Sequence, residues 1–319
     1  MFNFFKSCKI NLIIILIMIL PISLKSLSEE IKIVMKINEQ IVTNVDIRKE
    51  YDYLVALNNN LESIPKNEGY KIAQDSLLRE IIKTDEIKKF IDLETFDDEN
   101  LINNVLKEIV ITLKLNDASE LKEYLKTYNI SLDVLKNKMI KEVLWNQLIV
   151  TKYKDKINID IKKISNQIEG INFLDEENEI QYELSEILYQ VNDQNEFDKL
   201  TNLIYHDIEQ IGFKNTATKF SISETSKLGG YLGILNETQL SNEISEILSS
   251  KDIAEYTEPI KMGINYLILF INDKKIIKKT IDKENLLKNL IEIERQRQFD
   301  NFSQIYFNKI KINSFINEF

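Results

Sequence analysis

Side chains able to break bonds or bind metal are scarce in this chain. His206 is the only histidine and Cys8 the only cysteine among 319 residues. A single imidazole excludes paired histidine ligands, and a single thiol excludes an internal disulfide or a multi-cysteine zinc site. A Ser–His triad would have to use His206, yet no Gly-x-Ser-x-Gly elbow is present. The glycine patterns that cradle phosphates in P-loops and dinucleotide folds are missing as well. These residues predict no cofactor, no metal and no thiol or imidazole nucleophile. His206 falls among polar residues of an amphipathic stretch and is expected at the surface.

The unusual backbone chemistry is in SKLGGYLGIL, residues 226–235. It holds Gly229, Gly230 and Gly233, three of only 7 glycines in the chain. Glycine is placed where the backbone needs positive φ or close approach. A double glycine leading into an apolar run predicts a sharp turn into a strand, with Gly233 letting that strand pass close to a neighbour.

The elements around this motif follow from hydrophobic periodicity. Residues 1–28 read as a cleavable signal peptide: Lys6 and Lys9, then the apolar run LIIILIMIL at 12–20, then small residues at Ser26 and Ser28. The run is shorter than the about 20 residues a membrane span needs. Removing the leader takes away Lys6, Lys9 and Lys25 and moves the formal charge from −10 to −13. So acidic a chain is not suited to hold phosphate backbones, which excludes nucleic acid and anionic membrane as main partners.

In the mature chain, Ile31, Ile33, Met35 and Ile37 alternate as a strand, NEQ turns, and Thr43 or Asn44 caps a helix from about Val45. Helices are expected over 68–92, 97–114, 117–128 and 131–153, with Asp117 and Ser131 as caps. Residues 154–178 are charged and weakly periodic, and read as a connecting helix and linker. Then the pattern changes. Residues 179–191 alternate as a strand, and 195–212 form an amphipathic helix with Phe197, Leu200, Leu203, Ile204, Ile208 and Ile211 inward. A short helix follows at FKNTATKF, a helical pair at NETQLSNEISEILSS, and two strands over 256–273 around Gly263. A long helix over 280–316 has Leu286, Leu287, Leu290, Ile291, Phe299, Phe302, Ile305 and Tyr306 on its apolar side.

The opening order resembles the N-terminal region of the SurA family of periplasmic chaperones. The family's strand, turn and capped helix stand here as Asn38, Ile41, Thr43 and Asp46. A later helix pair maps onto Tyr128–Leu148, with Lys136 and Lys141 where the family often has arginine. Residues 179–274 are similar to parvulins, a family of peptidyl-prolyl isomerases. The Gly-Gly-Asp-Leu-Gly-Trp motif stands as Gly229-Gly230-Tyr231-Leu232-Gly233-Ile234. The opening and closing motifs stand as Ser185-Glu186-Ile187-Leu188 and Gly263-Ile264-Asn265-Tyr266-Leu267.

The resemblance implies an α+β fold. A mostly helical N-terminal module (29–170) would be completed by the C-terminal helix (280–319). A parvulin-like domain (179–274), a four-stranded antiparallel sheet with helices, would be inserted between them. It implies site positions too. The two family histidines fall on Glu186 and Asn265, the Cys or Asp position near Ser223, and the loop Asp on Tyr231. Leu240, Ile244 and Tyr266 stand for the substrate pocket. With every polar position replaced, an ionised Glu186 can only accept hydrogen bonds where the family's imidazole can also donate.

The implied function is a periplasmic holdase for unfolded outer-membrane polypeptides. It would be ATP-independent, with no stable membrane insertion after signal cleavage, and its isomerase domain would be weakly active or inactive. The alternatives are an active parvulin using Asn265 and Ser223, and a structural subunit whose degenerate domain docks a partner.

Overall fold

The structure is a computed structural model that describes residues 30–93, 98–169, 178–191, 193–278 and 283–319. The expected leader, part of the linker and the start of the last expected helix lie outside these residues. The architecture is α+β, with two antiparallel sheets set among helices.

A tight hairpin opens the fold. Strands β1 (Ile33–Ile37) and β2 (Gln40–Thr43) pair antiparallel across Asn38-Glu39. Asn38 has φ 51°, a left-handed conformation that asparagine tolerates. Its amide donates to Asp85 at 2.8 Å and accepts from the Phe315 backbone at 3.0 Å. One turn residue thus ties the hairpin to two distant segments. Met35 and Ile37 face the core, but Ile33 is exposed, because the pairing register slips between Ile33 and Met35.

Thr43 begins helix α1 (Asn44–Leu57) with a capping box: Thr43 Oγ1 accepts from the Asp46 N–H at 3.3 Å, and Asp46 Oδ2 accepts from the Thr43 N–H at 2.9 Å. Helices α2 (Lys66–Ile87), α3 (Glu99–Thr112), α4 (Ala118–Thr127) and α5 (Leu132–Tyr153) follow. Asp117 caps α4 and Ser131 caps α5, each accepting from first-turn backbone N–H groups. Their apolar stripes meet in one core that includes Leu54, Ile72, Leu106, Leu121 and Leu135. Helix α6 (Ile161–Glu169) buries Ile164 and Ile168 against Leu286.

The second sheet has the order β4-β3-β6-β5, all neighbours antiparallel. Its strands are β3 (Asn178–Gln190), β4 (Tyr231–Asn236), β5 (Ile260–Met262) and β6 (Asn265–Lys278). This is the four-stranded sheet expected of a parvulin-like domain. Both faces are covered. Ile187, Tyr189 and Ile268 pack on α7 (Gln194–Ile211) and α8 (Phe213–Phe220). Leu184, Leu267 and Leu269 point the other way, toward α9 (Asn242–Ser249). The split follows from the two-residue period of a strand. On α7, His206 is exposed, and so is Leu203, which was expected inward. The buried row is Thr201, Ile204 and Ile208, and Leu203 is rotated about 100° from Ile204 around the helix.

Helix α10 (Lys283–Ile312) and strand β7 (Ile316–Glu318) end the chain, and β7 adds to the free edge of β1. Phe299, Phe302, Tyr306 and Ile310 of α10 pack with Ile87, Leu144, Trp145 and Leu148 of α2 and α5. Trp145 is fully buried, stacked on Tyr306 with centroids 5.8 Å apart, and donates to Ser303 Oγ at 2.7 Å. Tyr306 donates in turn to Glu86. Ile305, read from sequence as apolar-side, is 46 % exposed.

Polar contacts join the four-stranded domain to the helices. The Asn58 amide donates to Thr218 Oγ1 at 3.1 Å and Asn215 donates to Asn60 O at 2.9 Å. Lys83 bridges Glu142 and Glu224, while Lys227 reaches Glu142 at 2.7 Å. Burial alone would raise the Glu142 carboxyl, but the Lys227 and Lys83 ammonium groups outweigh it and hold the group well below the usual range.

Candidate functional site

A crevice of 690 Å³ lies between one face of the four-stranded sheet and helix α10. Its floor is Leu184 and Leu188 of β3 with Leu267 and Leu269 of β6. One wall carries Leu232, Leu235, Leu240, Ile244 and Met262. The opposite wall is α10, contributing Leu290, Ile293, Glu294, Arg297, Asp300 and Asn301. Lys163 and Ile164 of α6 close one end. The period of β3 decides which residues reach the space. Leu184, Glu186 and Leu188 share its face, whereas Ile187 and Tyr189 are buried on the other side.

The structure brings Glu186, Asn265, Leu240 and Ile244 to this crevice. Ser223 stands behind Glu186 and donates to Glu186 Oε1 at 2.6 Å, joined by Thr225 Oγ1 at 3.0 Å. Tyr266 does not reach it. One residue along β6 from Asn265, its ring turns to the far face and packs on Phe197 at 4.5 Å and Tyr189 at 5.8 Å. Tyr231, at the position of the family's loop Asp, opens β4 and is half-buried.

The glycines hold the floor strand in place. Gly229 ends the short helical turn Glu224–Leu228 in a left-handed conformation. Gly230, at φ 77°, accepts from the Glu186 N–H at 2.8 Å through its carbonyl. A Cβ on Gly230 would lie 2.2 Å from the Glu186 backbone oxygen. Close approach between the loop and β3 is therefore what the second glycine permits. Gly233 does not serve the close approach expected of it: open space surrounds the position of its Cβ, and its φ of 95° is what calls for glycine.

The electrostatics of the polar end are lopsided. Burial pushes the Glu186 carboxyl up, the Ser223 and Thr225 hydroxyls pull it back, and the Asp300 carboxylate on α10 pushes it up further. Burial likewise raises Asp300 from 3.8 to about 6, with the Gln296 amide as its offsetting donor. Neither carboxylate has an ion-pair partner among the described residues. Arg297 is held by Glu294 through two hydrogen bonds, at 2.8 and 2.6 Å. Asn265 is 1 % exposed and donates to Asn301 Oδ1 at 2.8 Å, while its own Oδ1 is buried without a partner.

Asp300 gives this end a pH signature. A carboxyl raised on folding favours the folded state fully below about pH 4, and that contribution is lost as pH rises through about 6. Urea midpoints measured from about pH 4.5 to 7.5 are expected to fall more steeply in the natural chain than in Asp300→Asn. Parallel curves would remove Asp300 as the source.

Sequence reading missed Asp300, Asn301 and Arg297. They belong to a second stripe of α10. Arg297, Asn301, Gln304 and Asn308 recur at helical spacing opposite Phe299, Phe302 and Tyr306. Gln304 donates to Ile222 O at 2.7 Å and Asn308 to Gln190 at 3.0 Å, so the stripe faces protein along much of its length. In sequence, a polar stripe of this kind reads as a solvated face.

The chain resembles solved SurA-like chaperones and parvulin-type foldases. One is a SurA-like chaperone of Campylobacter jejuni, from a study of PEB4 and the periplasmic protein Cj1289, 16 % identical. It covers 90 % of this chain and 98 % of that one, with a TM-score of 0.35. PrsA from Bacillus subtilis is 20 % identical over 77 % of this chain and 85 % of its own, with a TM-score of 0.28. A PpiC-type peptidyl-prolyl cis-trans isomerase domain is 23 % identical over 32 % of this chain and 96 % of its own, also with a TM-score of 0.28. No family model and no curated protein matches the chain. Among the described residues, no helix is long and apolar enough to cross a membrane, and no His, Cys, Asp and Glu group could hold a metal ion.

Proposed function

We propose that this chain is an exported polypeptide-binding chaperone that holds unfolded clients in the crevice between its four-stranded sheet and helix α10. Residues 29–170 and 280–319 would form the chaperone module, and 179–274 a parvulin-like domain used for binding. Outer-membrane polypeptides in the periplasm are the proposed clients. The observation that carries this reading is the 690 Å³ crevice itself, with leucine floor, isoleucine and methionine walls and a few polar groups at one end. Ligand sites are commonly of this size and composition. An extended client chain would bury alternate apolar side chains against Leu188, Leu240 and Ile244, which are partly exposed, and its bound fraction would be withheld from aggregation by mass action. A formal charge of −13 after leader removal would keep the loaded complex soluble.

The polar end argues for holding and against isomerising. Rotation about an X–Pro bond meets a barrier of about 20 kcal/mol. Lowering it requires groups that favour the twisted amide over the planar one. Here the Ser223 and Thr225 hydroxyls already donate to Glu186, and the Asn265 amide donates to Asn301. Those two hydroxyl protons are therefore not free to donate to the nitrogen of a twisted amide.

The test is dilution of a urea-unfolded β-barrel protein into buffer with the purified chain lacking residues 1–28. Light scattering is expected to fall at near-stoichiometric chain, and Leu240→Glu with Ile244→Glu to restore it. Proline-limited refolding of a reporter is expected to keep its uncatalysed rate. Acceleration at the level of an ordinary parvulin, lost in Asn265→Ala, would overturn the holding role in favour of an isomerase. Undiminished scattering would leave docking of a partner as the domain's role.

A further inference from the structure

The polar end of the crevice presents acceptors with no cation to meet them. Glu186 comes from the floor strand β3, Asp300 from α10, and Asn265 Oδ1 from β6. Of the two crevice cations, Arg297 is forked onto Glu294, and Lys163 stands on α6 with no ion pair to Glu186 or Asp300. Asn265 is oriented by its bond to Asn301, which directs the amide protons to α10 and leaves the oxygen without a donor. Burying an acceptor unpaired is costly, and burying neighbouring like charges is costlier. The ligand chemistry that answers such a set of acceptors is a cation with several N–H donors.

We propose that the crevice selects extended segments in which a lysine or arginine side chain is flanked by apolar residues, the cation seated against Glu186, Asp300 and Asn265 Oδ1. This rests on the crevice being the client site. The apolar neighbours lie along Leu188, Leu240 and Ile244, and the cationic head fills the polar end. The long stem of lysine or arginine matches this division, since its methylenes pack on leucine while its head stays among acceptors. Acidic segments are rejected, because their carboxylates would add to an existing like-charge pair.

The probes are three N-acetylated, C-amidated peptides of alternating leucine and serine with lysine, leucine or glutamate at the centre. Blocked ends exclude capture of a free terminal amine. Fluorescence anisotropy with the chain lacking residues 1–28 is expected to give the lysine peptide the tightest binding, about tenfold or more over the glutamate peptide. The ratio is expected to shrink in about 0.5 M NaCl and to collapse toward unity in Glu186→Gln with Asp300→Asn. Glutamine keeps an oxygen for the Ser223 and Thr225 hydroxyls, so the floor strand retains those bonds. Equal affinity for the lysine and glutamate peptides, or a preference that survives the double variant, would overturn the inference while leaving the holding role intact. No binding by any of the three would overturn both.

Discussion

Trp145→Ala is expected to lower the unfolding free energy by about 3–5 kcal/mol, among the largest effects of any single truncation in this fold. Trp145 is wholly buried where α2, α5 and α10 meet. It stacks on Tyr306 at 5.8 Å, meets Phe307 edge-on at 6.5 Å, and donates to Ser303 Oγ at 2.7 Å. Truncation leaves a cavity among side chains that cannot all collapse into it, and leaves Ser303 without its donor. Ser303→Ala keeps the ring but leaves its buried N–H without an acceptor, and is expected to cost about 1–3 kcal/mol. Because Ser303 lies two residues beyond Asn301, loosening this anchor also frees the crevice wall. Urea denaturation gives the stability change, and peptide anisotropy gives the loss of binding that should accompany it. A Trp145→Ala protein as stable as the natural chain would mean that α10 is held mainly by its polar stripe.

Gly230→Ala is expected to be similarly damaging, for a different reason. Its φ of 77° strains an L-residue by about 1–3 kcal/mol, and the new methyl must displace the Glu186 carbonyl, an overpacking term of about 1–3 kcal/mol. That carbonyl belongs to the floor strand, so the cost is paid in the geometry of Glu186 as well as in stability. Gly233→Ala supplies the control. It shares the positive φ but has open space at the Cβ position, so only the backbone term should appear. Urea midpoints in the order natural chain, Gly233→Ala, Gly230→Ala are expected. Equal midpoints for the two variants would show that the loop yields and that close approach to β3 is not what Gly230 secures.

The elements of this fold were legible where local chemistry alone defines them. Asp117 and Ser131 announced their helices because a capping side chain bonds backbone within its own turn. The double glycine announced its turn because positive φ is a property of the residue itself. Errors fell where two readings differ by one position. Periodicity points Leu203 inward beside Ile204, yet a single step around a helix turns a side chain from core to solvent. Strand β7 was not foreseen, because Ile316–Glu318 is too short to show a period and exists only by pairing with β1.

The site divides along the same line. By itself the sequence determined which residue types stand at the positions resembling a parvulin site, and hence that no imidazole pair is there to donate and accept in turn. Only the tertiary structure decided that α10 forms the other wall, so that Asp300 joins Glu186 and Asn301 orients Asn265 from more than thirty residues away. The physical reason is that a side chain's donors, acceptors and charge are intrinsic to it. What it faces depends on long-range packing, here on Trp145 and its neighbours, which set the roll of α10 and so which of its two stripes looks into the crevice.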